Sequence, residues 1–178
     1  SHLPEIARQK RLQRARIHLQ IHASPRTPIP LTCQANRGNT MTDQLLIRED
    51  TNHIATLTLN SPSNFNALSA EMILALSTEF AKLAKTPSIR VVILKGAGKA
   101  FCAGHDLRQM QSHRTDADQG AAYYQSLFAA CAAMMQSLQA LPQTTIAQVH
   151  TIATAAGCQL AATCDMVVAS TGTRFGAN

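Results

Sequence analysis

The sequence predicts an α/β fold, and three observations predict it. Val91-Val-Ile-Leu94 is an apolar run without polar alternation, the pattern of a strand buried on both faces and parallel to its neighbours. On either side of it, segments of strand period alternate with segments of helical period. Two runs of small residues, Lys99-Ala-Phe-Cys-Ala-Gly-His-Asp-Leu-Arg108 and Thr151-Ile-Ala-Thr-Ala-Ala-Gly-Cys-Gln-Leu-Ala-Ala-Thr-Cys-Asp165, each follow a predicted strand and open a predicted helix.

The elements follow in order. Residues 45–49 and 53–60 alternate apolar and polar side chains across Asp50-Thr51-Asn52, a predicted hairpin that Ser61-Pro62-Ser63 ends. Ser69 is placed to cap a helix over 70–85, with Met72, Leu76, Phe80 and Leu83 on one face and Thr86-Pro87 as its stop. The loop 96–104 leads from the Val91 strand into a short helix starting near His105. A longer helix covers roughly 121–141, closed by Pro142, and the strand 145–149 follows. After the second small-residue turn come a helix through Ala162 and a strand over 166–169. No internal repeat is visible beyond this rhythm.

With 178 residues and 46% apolar content the chain has the material for one domain with a real core. The net charge of +6 suggests a polyanion partner until its distribution is read. Residues 1–40 carry seven Arg and Lys against Glu5 alone, whereas from Met41 onward nine basic residues meet nine acidic ones. Neither a nucleic acid nor a membrane is therefore expected as partner of the body. The basic leader, 1–40, has three open readings: an Arg-rich transit peptide, a disordered arm, or sequence upstream of a start at Met41. Five cysteines without a Cys-x-x-Cys pair suggest neither a zinc site nor a disulfide framework, and a reducing compartment fits. The expected location is cytoplasmic, with mitochondrial as the alternative if the leader is a transit peptide.

A small-residue turn at a helix start leaves main-chain N–H groups free to meet a ligand. In the two segments quoted above the chain resembles the enoyl-CoA hydratase/isomerase (crotonase) superfamily, over about residues 45–178. Their His-Asp-Leu and Ala-Thr-Ala-Ala-Gly-Cys-Gln-Leu variants are most similar to a mitochondrial branch of it and that branch's bacterial relatives. The resemblance implies a crotonase-like spiral of ββα units, with 41–178 an acyl-CoA-binding domain that stops short of the family's C-terminal end. It also implies a role in fatty-acid metabolism and an acyl-CoA substrate that brings CoA with it, so that no separate cofactor or metal is expected. For the complete protein it implies a homotrimer or hexamer.

Carried over residue by residue, the resemblance makes the N–H groups of His105 and Ala156 the two donors of an oxyanion hole. Such a hole stabilises a thioester enolate, and one donor is typically worth ~2.7–4 kcal/mol. Ala103, Gly104 and Gly157 are small so that main chain can approach the substrate. Where the family has Gly-Gly-Gly, this chain has Ala155-Ala156-Gly157; the added methyls exclude positive φ, leaving a hole built from ordinary helical dihedrals. Gln159 stands at the usual position of a hydratase Glu and cannot exchange a proton near neutral pH, which puts hydratase activity in doubt. A catalysing lyase or isomerase and a non-catalytic acyl-CoA-binding or regulatory protein both stay open.

Asp106 reads as a helix cap before it reads as a base. Leu107 and Arg108 follow it in the CoA-binding register, and Arg108 is either a phosphate ligand or a solvated arginine. Asn66, Ala67 and Leu68 match the family's Asn-Ala-Leu beside the CoA cleft. Phe65 reads as a core residue or an adenine-stacking one, and the side chain of His105 as a polar lid or a surface group. Asp165 reads as a structural residue opening a strand, and Cys102 as a buried thiol. Gly96-Ala-Gly98-Lys-Ala-Phe101 lacks the third glycine of a dinucleotide fingerprint and the Ser/Thr of a P-loop.

Overall fold

The computed structural model describes residues 44–177. The leader, 1–40, lies outside the described residues. The chain opens with β1 (Leu46–Thr51) and β2 (Ile54–Leu59), paired antiparallel with Leu46 opposite Leu59 and Thr51 opposite Ile54. Their turn is two residues, Asn52 and His53, at φ 50° and 65°. Two consecutive positive φ values match the twist of the flanking strands, so β1 runs on through the Asp50-Thr51 expected to turn.

Next come α1 (Ala70–Leu83), β3 (Val91–Gly96), the short α2 (Leu107–Ser112), the long α3 (Ala121–Gln139) and β4 (Thr144–Val149). β5 (Ile152–Thr154), α4 (Ala156–Thr163), β6 (Met166–Ala169) and β7 (Arg174–Gly176) complete the described chain. The Ser69 hydroxyl accepts from the N–H of Met72 at 3.2 Å, the cap expected of it. The short helix begins two residues later than its motif suggested, because His105 is still extended and bridged to Leu68.

One sheet has the order β1-β2-β3-β4-β6, parallel throughout apart from the first hairpin. The second is smaller: β5 pairs with β7 in parallel, and isolated bridges join Cys102 to Ala153 and Leu68 to His105. From β3 onward each turn of the chain gives a strand to the large sheet and a short extended piece to the small one, and the first two of these turns then run into a helix. This is the ββα spiral of the crotonase fold.

The core joins Leu57, Leu59, Val92 and Leu94 of the large sheet to Met72, Leu76 and Phe80 of α1 and Met134 and Leu138 of α3. The opposite face is only half buried at Val91 and Ile93. The expectation of burial on both faces is corrected accordingly: the apolar run reports a parallel strand, but the packed core takes one face of it.

Asp165 holds the turn into β6, its carboxylate accepting from the N–H and the hydroxyl of Thr145 at 2.9 and 3.0 Å. The Thr145 hydroxyl oxygen accepts in turn from the Asp165 N–H. The structural reading of this acid matches that arrangement.

Candidate active site

Two peptide planes decide what the first small-residue segment presents. The N–H of Leu68 donates to the Gly104 carbonyl at 2.7 Å, and the Leu68 carbonyl accepts from Asp106 at 3.4 Å. In a trans peptide the carbonyl and N–H point in opposite directions. With the Gly104 carbonyl turned toward Leu68, the His105 N–H points away from it, and no acceptor among the described residues takes it.

In the second segment the Ala155 carbonyl accepts from Gln159 N at 3.1 Å, along the axis of α4. By the same antiparallel rule the Ala156 N–H is directed out of the helix start, where the first turn has no intrahelical acceptor. The two segments lie against each other. Thr154 donates through its N–H to Cys102 at 3.1 Å and through its hydroxyl to the carbonyl of Ala103 at 3.0 Å. A Cβ on Gly157 would lie 2.3 Å from the Cys102 carbonyl oxygen, so only glycine permits this approach. A Cβ on Gly104, itself at φ 95°, would lie 3.0 Å from the methyl of Ala155 and 3.4 Å from the nitrogen of Ala156.

Ala155 overturns the expectation of ordinary helical dihedrals. It adopts φ 48° and ψ −125°, a region that costs a non-glycine residue of order 1–3 kcal/mol. The roles within Ala155-Ala156-Gly157 are thus reversed: an alanine takes the left-handed position, while the glycine is there for close contact.

Asn66, Ala67 and Leu68 are all buried. The Asn66 amide donates to the carbonyls of Ala97 and Ala100, both at 2.8 Å, and its oxygen accepts from Ser61 N at 2.8 Å. These side chains are spent internally; the trio ties the first segment to the hairpin. Phe65 is 52% exposed, which corrects its core reading. Phe65 and Asn66 both sit at positive φ, and that pair of turns sends one side chain outward and the next inward.

Asp106 caps α2, one carboxylate oxygen accepting from Arg108 N at 3.0 Å and Gln109 N at 3.2 Å, the other from the Asn64 amide at 3.2 Å. Leu107 and Arg108 are exposed, and Arg108 makes no ion pair among the described residues. The Gln159 side chain is exposed on α4. Cys102 is buried, and burial pushes its thiol up to about 12, so it is inert as a nucleophile.

His105 corrects its reading as a surface group. Its half-buried ring packs edge-on against Phe128 of α3, centroids 5.1 Å apart, with Nε2 buried and without a partner among the described residues. Burial lowers its pKa from the usual 6.5 and favours the neutral ring.

Sequence reasoning missed Tyr123. Its ring stacks on His113 at 3.7 Å and its hydroxyl is buried without a partner among the described residues. Burial first, then the charges of Glu71 and Asp106, raise its pKa. No motif flags such a residue, since helix packing alone brings it to the first segment. The bridge at Leu68 and the strand β7 were missed for the same reason: both are contacts between distant segments.

Fold and site together define a ββα-spiral protein that presents, from two small-residue segments in contact, main-chain amides with no acceptor among the described residues. The chain belongs to the enoyl-CoA hydratase/isomerase family, whose model matches residues 49–178. It is 39% identical over 131 residues to enoyl-CoA hydratase domain-containing protein 3, mitochondrial, of Xenopus laevis, covering 74% of this chain and 43% of that protein. Among solved structures, an enoyl-CoA hydratase of Mycobacterium smegmatis matches with a TM-score of 0.68 at 48% identity, over 75% of this chain and 50% of that one. Human enoyl-CoA hydratase domain-containing protein 3 matches with a TM-score of 0.67 at 32% identity, over 74% and 50%. The chain spans about half the length of the relatives it matches.

Proposed function

We propose that the complete protein binds acyl-CoA thioesters and holds the thioester oxygen between the N–H groups of His105 and Ala156. Negative charge can then build on the carbonyl as an enolate. The observation that supports this best is a pair of amides without an acceptor among the described residues, on segments packed within van der Waals contact. Main-chain donors fixed by other hydrogen bonds need no reorganisation when charge develops, which is what makes such a site catalytic.

Gln159 limits the chemistry. An amide cannot relay a proton to or from water, so the protein is a poor hydratase of short enoyl-CoA substrates. A lyase or isomerase reaction of acyl-CoA metabolism, drawing its acid or base from elsewhere in the complete protein, is the reading adopted. The second reading is a non-catalytic acyl-CoA-binding protein, favoured by the exposed, uncharged Gln159. CoA enters as part of the substrate, its phosphates meeting Arg108, and no separate cofactor is used. Assembly as a homotrimer or hexamer belongs to the same proposal. So does a mitochondrial location: the vertebrate relatives are named as mitochondrial, and nothing in the comparisons supports the cytoplasmic expectation.

The test is a panel of acyl-CoAs offered to the complete protein, with binding and turnover both measured. Wild type should bind, and Ala156→Pro, which removes one donor at a first-turn position tolerant of proline, should lose affinity for an enolate-forming ligand while staying folded. Absence of binding by wild type overturns the reading. Gln159→Glu should raise hydration by roughly 10²-fold or more if a second carboxylate is in place. Efficient hydration by wild type would refute the limit ascribed to Gln159.

A further inference from the structure

We infer that Ala155 is a positioning residue whose strained turn makes the direction of the Ala156 N–H depend on the docking of β7. The inference rests on the oxyanion reading above and adds what controls that site. β5 is three residues long, and the residue on each side of it, Thr151 and Ala155, stands at positive φ, 61° and 48°. Neither residue type favours that region, Thr least of all because its Cβ is branched. β7 grips both: Arg174 N donates to the Thr151 carbonyl at 2.8 Å, and Ala155 N donates to the Gly176 carbonyl at 2.7 Å. Between these bonds Ile152, Ala153 and Thr154 pair with Arg174, Phe175 and Gly176.

The strained ends are therefore those that β7 holds. On its other side the turn meets Cys102, Ala103 and Gly104 through Thr154, and the methyl of Ala155 faces the bare α-carbon of Gly104. Strain of this kind persists only where surrounding contacts over-determine it. Among the described residues β7 pairs with β5, and it holds the turn through the two main-chain bonds at Thr151 and Ala155. When β7 lets go, Ala155 relaxes to negative φ and the peptide joining it to Ala156 rotates. The Ala156 N–H then leaves its direction. Glycine at 155 has no reason to relax, so it uncouples the amide from the clamp.

A double-mutant cycle on the full chain tests this, with Arg174→Pro to remove the N–H that reaches Thr151, Ala155→Gly, and the pair together. The probe is acetoacetyl-CoA, whose enolate is followed by its near-ultraviolet absorbance, with free CoA as the control. Arg174→Pro should weaken enolate binding roughly tenfold in the alanine background and about twofold or less in the glycine background, the range that strain of this size permits. Free CoA should bind all four proteins alike. Equal losses in both backgrounds overturn the inference. The NMR shift of the Ala156 amide, read in the same four proteins without ligand, gives a second measure: it should move in Arg174→Pro and return in the double variant. If wild type binds no acetoacetyl-CoA, the functional reading falls, while the amide shifts still decide whether β7 sets the turn. Should Arg174→Pro fail to fold, Phe175→Gly loosens β7 by strand propensity alone and takes its place in the cycle.

Discussion

At position 105 the backbone and the side chain have separate tasks. The N–H direction is fixed by Leu68, while the ring is packed on Phe128 with one nitrogen buried and without a partner among the described residues. Because burial holds the folded pKa below 6.5, the unfolded chain binds the extra proton first as pH falls. Stability contributed by the neutral ring is thus complete above about pH 6.5 and is lost as pH drops from there toward the folded pKa. Thermal unfolding of wild type should fall between pH 7.5 and 5.5 by more than that of His105→Gln, with the difference absent above pH 7.5. At this level the sequence was half legible. Small residues beside a helix start announce available amides. The side chain of His105 was not readable, since its environment comes from Phe128 on a later helix, and the φ of Ala155 contradicts what alanine favours because contacts from β7 and the 102–104 segment override local preference.

Elements with local causes were read well. Ser69 capping α1 and the apolar face of that helix depend on residues within a few positions, and both are where the pattern puts them. The hairpin turn slipped because Asn52-His53 is an unusual left-handed pair, whereas Asp50-Thr51-Asn52 looks like a turn by composition. Asp165 shows how one side chain can register two elements, bonding Thr145 at the start of β4 while its own N–H is taken by the same hydroxyl. Removing this charged acceptor by Asp165→Ala should cost about 1.5–3 kcal/mol of stability, the usual size for a hydrogen bond to a charged group. Chemical denaturation should register it as a lower midpoint with unchanged slope. No change in midpoint would mean that β4 and β6 keep their register without it.

Taken whole, the described chain builds its core from residues 55–161, drawn from both sides of the first motif. Because the charge excess lies in 1–40 and the core patterning begins after Met41, deleting residues 1–40 from the complete protein should leave its thermal stability and CoA affinity nearly unchanged. A melting temperature lowered by more than about 4 °C, the shift that roughly 1–2 kcal/mol gives in a domain of this size, would show that the leader contributes to the fold. The α/β class and the order of its longer elements followed from periodicity together with capping and stop residues such as Ser69 and Pro142. The second sheet did not, because its pieces are three residues or fewer and gain meaning only when stacked.

The hydrogen bonds that orient the amides of His105 and Ala156 are made by the carbonyls of Gly104 and Ala155, which every amino acid supplies. A missense change at codon 105 or 156, short of proline, therefore rewrites a side chain and leaves the donor atom in being. Genetic drift can change the side chains around these two amides while the amides themselves stay in place. A laboratory seeking a new reaction from this scaffold has a free variable at the exposed Gln159, and a fixed point at Gly157, where any larger residue would force the two segments apart.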